Sequence, residues 1–370
     1  MYDIVVVGAG PAGSRLARRT AERGHEVLLL EGGEVGRPLA CSGHVSTDVW
    51  EFVPDDARDE LLQNRVFGAR FHTGGPDSTA YPFYKREEVS NVIDRVALDR
   101  TLARCAREAG ADLREEHTVL DVTEHDDRVE LEVRVPDGGT ESFTGRLVAG
   151  CDGPTSRVRR SVGLGEPSET LHGVLAFDES PDHGDFVDVH LTAPTFFAWR
   201  IPRGDAGVEY GLAAPPGEDV NVLFDQLTET YDVTTDRFCS GAIPVGPPTC
   251  TTSDRTFLVG DAAAQTKPFT GGGIRYGMTA ADIAAERIDP LEPRSLEAYE
   301  QGWREELATE IRLGAAIRRC YSLPEPVQRL GLWALSGEIG VHMDEPSSFF
   351  SREHLSRLFS RGDPPSDGAP

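Results

Sequence analysis

Lysine is close to missing from this chain. Of 37 basic residues only Lys85 and Lys267 are lysine, and 62 Asp and Glu outnumber them all, for a formal charge of −25 over 370 residues. So acidic a surface repels nucleic acid and anionic membrane. Its self-repulsion is relieved in concentrated salt, where the Debye length shrinks to about 3 Å at 1 M. A salt-adapted (halophilic) composition is one reading, and a GC-rich genome acting on an ordinary acidic protein is the other. No apolar run approaches the roughly 20 residues of a membrane-spanning helix. The N terminus runs into strand-like Asp3–Gly8 instead of a charged-then-apolar leader, so a cytoplasmic protein is expected, with peripheral membrane contact as a further option. The six cysteines form no CxxC pair and no metal-like spacing with histidine, which points away from a metal site or a disulfide framework and toward a reducing compartment.

What is present is organised around two glycine clusters. Asp3 to Gly8 is a near-continuous apolar run, GAGPAG follows, and a helical pattern carries Leu16, Ala17 and Thr20 until Gly24. Glu26 to Glu31 reads as the next strand. This is a βαβ dinucleotide unit: Gly8 makes the tight turn, Gly10 lets backbone approach a pyrophosphate, and Gly13 lets the helix pack on the strand. Glu31, 18 residues past Gly13, is placed to accept hydrogen bonds from ribose hydroxyls. The fingerprint alone does not separate FAD from NAD.

The second cluster lies in RTFLVGDAAAQTKPFTGGGIRYGMTAA, from Arg255 to Ala281. An apolar run, Thr256 to Val259, ends at Gly260-Asp261, and Gly271, Gly272 and Gly273 open a helix through Ile288. A helix starting on three glycines presents bare N–H groups and its positive dipole end to a ligand, where negative charge is favoured.

Between the clusters, Arg95 to Ala109 is amphipathic, with Cys105 on its apolar face. Thr118–Val122 and Val129–Val135 alternate as strands, and Val148 to Gly150 leads into Asp152-Gly153. Asp152 has two readings of similar weight, a cap for the following helix and a cofactor contact. Val66–Tyr84 and Leu171–Phe257 are rich in strand signals, with one helical interval at Val220–Tyr231. From Pro290 the pattern is helical: Leu296, Tyr299, Trp303, Leu307 and Ile311 share a face. A second apolar helix, Pro324–Leu335, carries Leu330, Trp333 and Leu335. Packing against the upper domains is the expected use of that helix, since acidic surroundings oppose anionic lipid, and a membrane-facing surface is the alternative.

These landmarks, with Pro38-Leu-Ala-Cys41-Ser-Gly43, Arg95-Val-Ala-Leu-Asp99, PTFFAWRIP from Pro194 and KPFTGGGI from Lys267, resemble the FAD-dependent geranylgeranyl reductase family. That family shares a wider fold group with aromatic hydroxylases of the p-hydroxybenzoate hydroxylase type. The resemblance implies an α/β fold in which a discontinuous Rossmann-like FAD-binding domain (1–65, 88–165 and 254–290) meets an antiparallel β-sheet substrate domain (66–87 and 166–253). A C-terminal helical segment (291–361) and a disordered tail (362–370) follow. It implies FAD held by Gly8, Gly10, Pro11, Ala12, Gly13, Glu31, Cys41, Arg95, Asp152, Asp261, Gly271, Gly272, Gly273 and Ile274. It also implies a substrate wall of Phe83, Phe196, Phe197, Trp199 and Pro268, suited to a long hydrocarbon. Hydride addition to an olefin needs a proton for the second carbon, and Cys41, His44 and Tyr84 are the candidate donors, Cys41 first. Ser42 stands where the family has Gly, which leaves the local backbone path open.

The implied activity is hydrogenation of geranylgeranyl chains in archaeal-type ether lipids, with electrons from NAD(P)H or a ferredoxin-like protein. Two other readings stand beside it. PTFFAWRIP is close to the W-x-W-x-I-P element of flavin-dependent halogenases, for which Lys85 is the candidate lysine, although Ser14 occupies the place of their Trp. The alternative is therefore a flavin monooxygenase or halogenase acting on an aromatic small molecule. The other is an electron-transfer flavoprotein with a shallow, exposed flavin.

Overall fold

A computed structural model describes residues 1–38, 41–235 and 237–338. In chain order the first strands are β1 (Tyr2–Val7), β2 (Val27–Leu30), β3 (His44–Ser46), β4 (Leu62–Val66), β5 (Gly68–His72), β6 (Tyr81–Tyr84), β7 (Ser90–Ile93), β8 (Asp112–Arg114) and β9 (Thr118–Glu124). They are followed by β10 (Val129–Arg134), β11 (Thr140–Gly150), β12 (Glu169–Asp178), β13 (Phe186–His190), β14 (Ala198–Pro202), β15 (Val208–Ala214), β16 (Arg237–Val245), β17 (Thr256–Leu258) and β18 (Gly337–Glu338). The helices are α1 (Pro11–Glu22), α2 (Arg58–Leu61), α3 (Arg95–Glu108), α4 (Arg157–Ser161), α5 (Val220–Tyr231), α6 (Ile274–Arg287), α7 (Ser295–Arg318) and α8 (Glu325–Leu335).

From Ile4 to Val7, β1 has no polar face because neither of its faces meets water there. It lies between β2 and β11, parallel to both. Ile4 and Val6 point into a core shared with α1, α6 and α7, whereas Val5 and Val7 point into a second core under β9 and β10. Continuous burial of this kind gives a parallel strand its unbroken apolar sequence. The sheet runs β8-β2-β1-β11-β10-β9 with β17 also beside β11, so a parallel nucleotide-binding half continues into an antiparallel meander. Val129, Leu131 and Val133 of β10 are fully buried while Glu132 and Arg134 between and beyond them are exposed, as the alternation predicts.

The second sheet has the order β16-β12-β15-β14-β13-β5-β6-β18. It is antiparallel except at β13–β5 and β18–β6. One face is covered by α5, which spans the residues its pattern predicts. The other face looks back toward the nucleotide-binding half. A small third sheet, β3-β7-β4, joins the two parts and was not read from the sequence.

α6 packs on α1 through small residues: a Cβ on Gly277 would lie 3.1 Å from the Gly260 Cα and 3.2 Å from the Ala12 methyl. Leu296, Tyr299, Trp303 and Leu307 of α7 are buried against the same core, as expected. The expectation for the next helix fails. No residue of α8 is buried, Leu330 is 64% exposed and Trp333 54%. Its inner side meets a cavity in place of a solid core, so half of its apolar surface is left outward. The rest of the expected C-terminal segment, 339–361, and the tail 362–370 lie outside the described residues.

Candidate active site

The turn after β1 is built by backbone contact. Gly8 sits at φ +98°, and a Cβ there would meet the Cys151 carbonyl oxygen at 2.4 Å; on Gly13 it would meet the Gly8 carbonyl oxygen at 1.9 Å. Gly10 differs, because a Cβ on it meets nothing within 4 Å. The first and third glycines are required by the protein itself, and the second leaves an open cradle at the N terminus of α1, where Pro11 takes the N1 position. Glu31 closes the far side: Ala9 N–H donates to one oxygen (2.8 Å) and Gly33 N–H to the other (3.2 Å). Burial pushes its carboxyl above the ordinary range while these amides pull it back.

The two acidic motifs behave differently. Asp152 accepts from Ser156 Oγ (2.6 Å) and from the amides of Arg157 (2.7 Å) and Val158 (3.0 Å), so both oxygens serve the start of α4. Asp261 is held by its turn. Gly260 N–H donates to Gln265 Oε1 (2.7 Å), Gln265 bonds Tyr299, and Tyr299 donates to the Leu258 carbonyl (2.6 Å), which ties the turn to α7. Burial pushes Asp261 up to about 6, against a smaller opposing pull from Arg95. Gly273 is needed beside it, because a Cβ there would lie 2.5 Å from the Asp261 Oδ1.

Arg95 is the hub at this end. It is buried, pairs with Asp99 through two bonds (2.7 and 3.1 Å), and lies within hydrogen-bonding reach of the Cys41 thiol. Its Nε and the Thr270 hydroxyl are buried without a partner among the described residues. Gly271, at φ +75°, brings the GGG turn against Ile243 and Phe196, and a Cβ on Gly272 would press on the Lys267 side chain at 2.9 Å.

From here a cavity of about 940 Å³ runs between the two sheets. That is the upper end of the roughly 300–1,000 Å³ of small-molecule sites. Gly10, Pro11, Ala12, Cys41, Arg95, Asp261, Gly271, Gly272, Gly273 and Ile274 line its polar end, and His44, Tyr84, Phe83, Phe197 and Trp199 line the remainder. Every candidate proton donor therefore faces one space. His44 Nε2 also lies 2.8 Å from Ser90 Oγ. Gly8, Gly13, Glu31 and Asp152 do not line the cavity. Nor do two of the expected wall residues: Phe196 is fully buried and stacks under Phe197 at 4.4 Å, and Pro268 packs beneath Gly314 of α7.

Sequence reasoning missed the support of the wall. The Trp199 indole N–H donates to Glu209 (2.8 Å), a fully buried carboxylate paired with Arg203 (2.8 Å). Arg203 donates in turn to the carbonyls of Ser42 and Ile93 and to Gln63. One buried ion pair thus connects the aromatic wall to the Cys41 loop and to the strand leading into Arg95. A Cβ on Gly211 would lie 2.4 Å from the Trp199 ring, so the indole needs that glycine beneath it. Phe71, Ile243, Tyr321 and the inner side of α8 complete the lining. Their spacing resembles any sheet or helix interior, and no sequence signal marks them.

The FAD binding domain family matches residues 1–216. Digeranylgeranylglycerophospholipid reductase 1 of Methanococcoides burtonii is 32% identical, over 86% of this chain and 84% of its own. The chain belongs to the digeranylgeranylglycerophospholipid reductase family. The solved structure of a geranylgeranyl bacteriochlorophyll reductase-like protein from Thermoplasma acidophilum superposes with a TM-score of 0.83 at 22% identity, covering 97% of this chain and 96% of that one. A flavin-dependent halogenase, CmlS, superposes at 0.70 with 19% identity, over 96% of this chain and 76% of that one, and shares the fold alone. As a member of the reductase family the chain is an FAD-dependent oxidoreductase of the expected α/β fold. Its residues fit FAD: the Gly10 cradle is open, and two buried polar atoms at the cavity, on Arg95 and Thr270, await acceptors or donors. Among the described residues no helix is long and apolar enough to cross a membrane.

Proposed function

We propose that this reductase hydrogenates the C=C bonds of geranylgeranyl chains on an archaeal-type ether lipid. The observation that carries the reading is the continuity of one cavity from the GD and GGG turns to an apolar wall of Phe71, Phe197, Trp199 and Ile243. Bound here and reduced, FAD would be the source of the hydride for one olefinic carbon. The chain does the rest. Gly10 and the α1 N terminus would receive the pyrophosphate, Glu31 would take the adenosine ribose, and Asp261 with the Gly271–Gly273 turn would hold the flavin end. The amides of that turn and the Lys267 ammonium would favour negative charge on a ring held there. The aromatic wall excludes water and aligns a chain that offers no polar group to grip.

The second carbon takes a proton from the Cys41 thiol, which Arg95 contacts and which the Arg203–Ser42 bond positions. His44 and Tyr84 line the same cavity, and His44 contacts Ser90. Electrons come from a partner reductant, a nicotinamide cofactor or a small iron–sulfur protein; the sequence has no second dinucleotide fingerprint. The test is anaerobic. The dithionite-reduced protein is given a geranylgeranyl lipid and the product is weighed for added pairs of hydrogens. Cys41→Ala should keep its FAD and lose at least about tenfold in rate, since positioned acid catalysis contributes roughly 10²–10⁴. Oxygen-dependent hydroxylation, halide incorporation, or full activity in Cys41→Ala refutes the corresponding part.

A further inference from the structure

Five large apolar side chains stand exposed within thirteen residues of one another: Leu323, Val327, Leu330, Trp333 and Leu335. Elsewhere in the described chain only Met1, Val222, Phe238 and Leu291 do so, scattered over its length. The cluster belongs to α8 and the loop just before it; Leu323, Val327 and Leu335 line the cavity together with Gln328, Gly331 and Leu332, so Leu330 and Trp333 are the two that stand outside its lining. Gln328 fastens it to the turn after α7 by donating to the Tyr321 carbonyl (2.8 Å). α8 is therefore a thin wall, roughly 16 Å long at 1.5 Å per residue, with the cavity on one side and the exposed Leu330 and Trp333 on the other.

The charge around it is reversed from the rest of the molecule. Between Arg312 and Leu335 the chain carries four arginines and one glutamate, within a protein of net −25. Arg312, Arg319 and Arg329 are exposed, and Arg318 is held by Glu169 (2.7 and 3.0 Å). An outward leucine and tryptophan, Leu330 and Trp333, rimmed by arginine, fit an interfacial helix on an anionic lipid surface. A second copy of the chain fits worse, because an isologous contact sets these arginines against themselves.

We propose that α8 docks the protein on the surface of an anionic bilayer, with Leu330 and Trp333 inserted among the acyl chains and Arg319 and Arg329 on the headgroup phosphates. This rests on the reading that the substrate is a bilayer lipid, which would then pass between membrane and cavity beside α8.

The experiment uses the full-length holoenzyme and sedimentation with phosphatidylglycerol or phosphatidylcholine vesicles in 0.1 M salt. The Trp333 emission is followed with brominated acyl chains, and Trp333→Phe is the control. Binding is expected to phosphatidylglycerol, with quenching lost in Trp333→Phe. Leu330→Glu should weaken it at least tenfold and Arg319→Glu several-fold, both with parental FAD content and melting temperature. Turnover of detergent-dispersed substrate should be unchanged in both variants, so a failure of the substrate reading shows itself separately as vesicle binding without turnover. No vesicle binding, equal binding by Leu330→Glu, or a dimer that Leu330→Glu dissociates overturns the proposal.

Discussion

Gly10→Ala separates cofactor binding from folding at one methyl group. Gly10 has φ −68° and ψ −176°, ordinary extended backbone, and its added Cβ touches nothing within 4 Å. Alanine lowers the freedom of the unfolded chain and so favours folding by about 0.4–1 kcal/mol. It loses a few tenths or more as an N-cap relative to glycine. The apoprotein should stay within about 0.5 kcal/mol of the parent. The methyl, however, occupies the cradle proposed for the pyrophosphate. A tenfold weaker FAD corresponds to about 1.4 kcal/mol, and the FAD-dependent part of the stability falls by the same amount at saturating cofactor. The assay pairs urea unfolding of apoprotein with a fluorimetric FAD titration. Parental FAD affinity in Gly10→Ala, or an apoprotein weakened by more than about 2 kcal/mol, refutes the reasoning. Gly13→Ala is the contrasting control, because its methyl would lie 1.9 Å from the Gly8 carbonyl oxygen and must cost folding.

Burial pushes the Asp261 carboxyl up to about 6 in the folded apoprotein, above its unfolded value, so the folded state holds the proton more tightly. Its contribution to stability is complete below about pH 4 and is lost as pH rises through 6, and apo Asp261→Asn should show a shallower fall in melting temperature from pH 4 to 7 than the parent. Glu209→Ala leaves the buried Arg203 without its counter-charge. A loss of about 3–5 kcal/mol is expected by urea unfolding, moderated by the three other acceptors of Arg203, whereas a loss under 1 kcal/mol would show that those acceptors suffice.

The nucleotide-binding half was legible because its residues are dictated by backbone contacts. Gly8 and Gly13 have no room for a side chain, and the double burial of β1 writes itself as IVVV. The aromatic wall was half legible. PTFFAWRIP gives the composition of a wall, but the strand period places Phe197, Trp199 and Ile201 on the cavity side and leaves Phe196 beneath. Arg203 and Glu209 were invisible: a charged residue at each side of a Gly-Asp turn reads as solvated surface, and only the tertiary fold closes them together. The error on α8 has a similar origin. Periodicity shows that Leu330 and Trp333 share a helix, and it carries no information on whether core, cavity or solvent lies opposite.

Recognition in this cavity follows from area more than from polar contacts. At about 0.8 kcal/mol per buried methylene, a long hydrocarbon binds tightly to any dry apolar slot of the right length. Saturating a double bond leaves the carbon count unchanged, so substrate and product bind almost equally and the wall cannot expel what has been reduced. Release into water would cost the same 0.8 kcal/mol for each methylene re-exposed, so the product leaves at a useful rate only into surroundings as apolar as the cavity. Docking of α8 on a bilayer, as proposed above, would answer that requirement where a fully packed C-terminal helix would not.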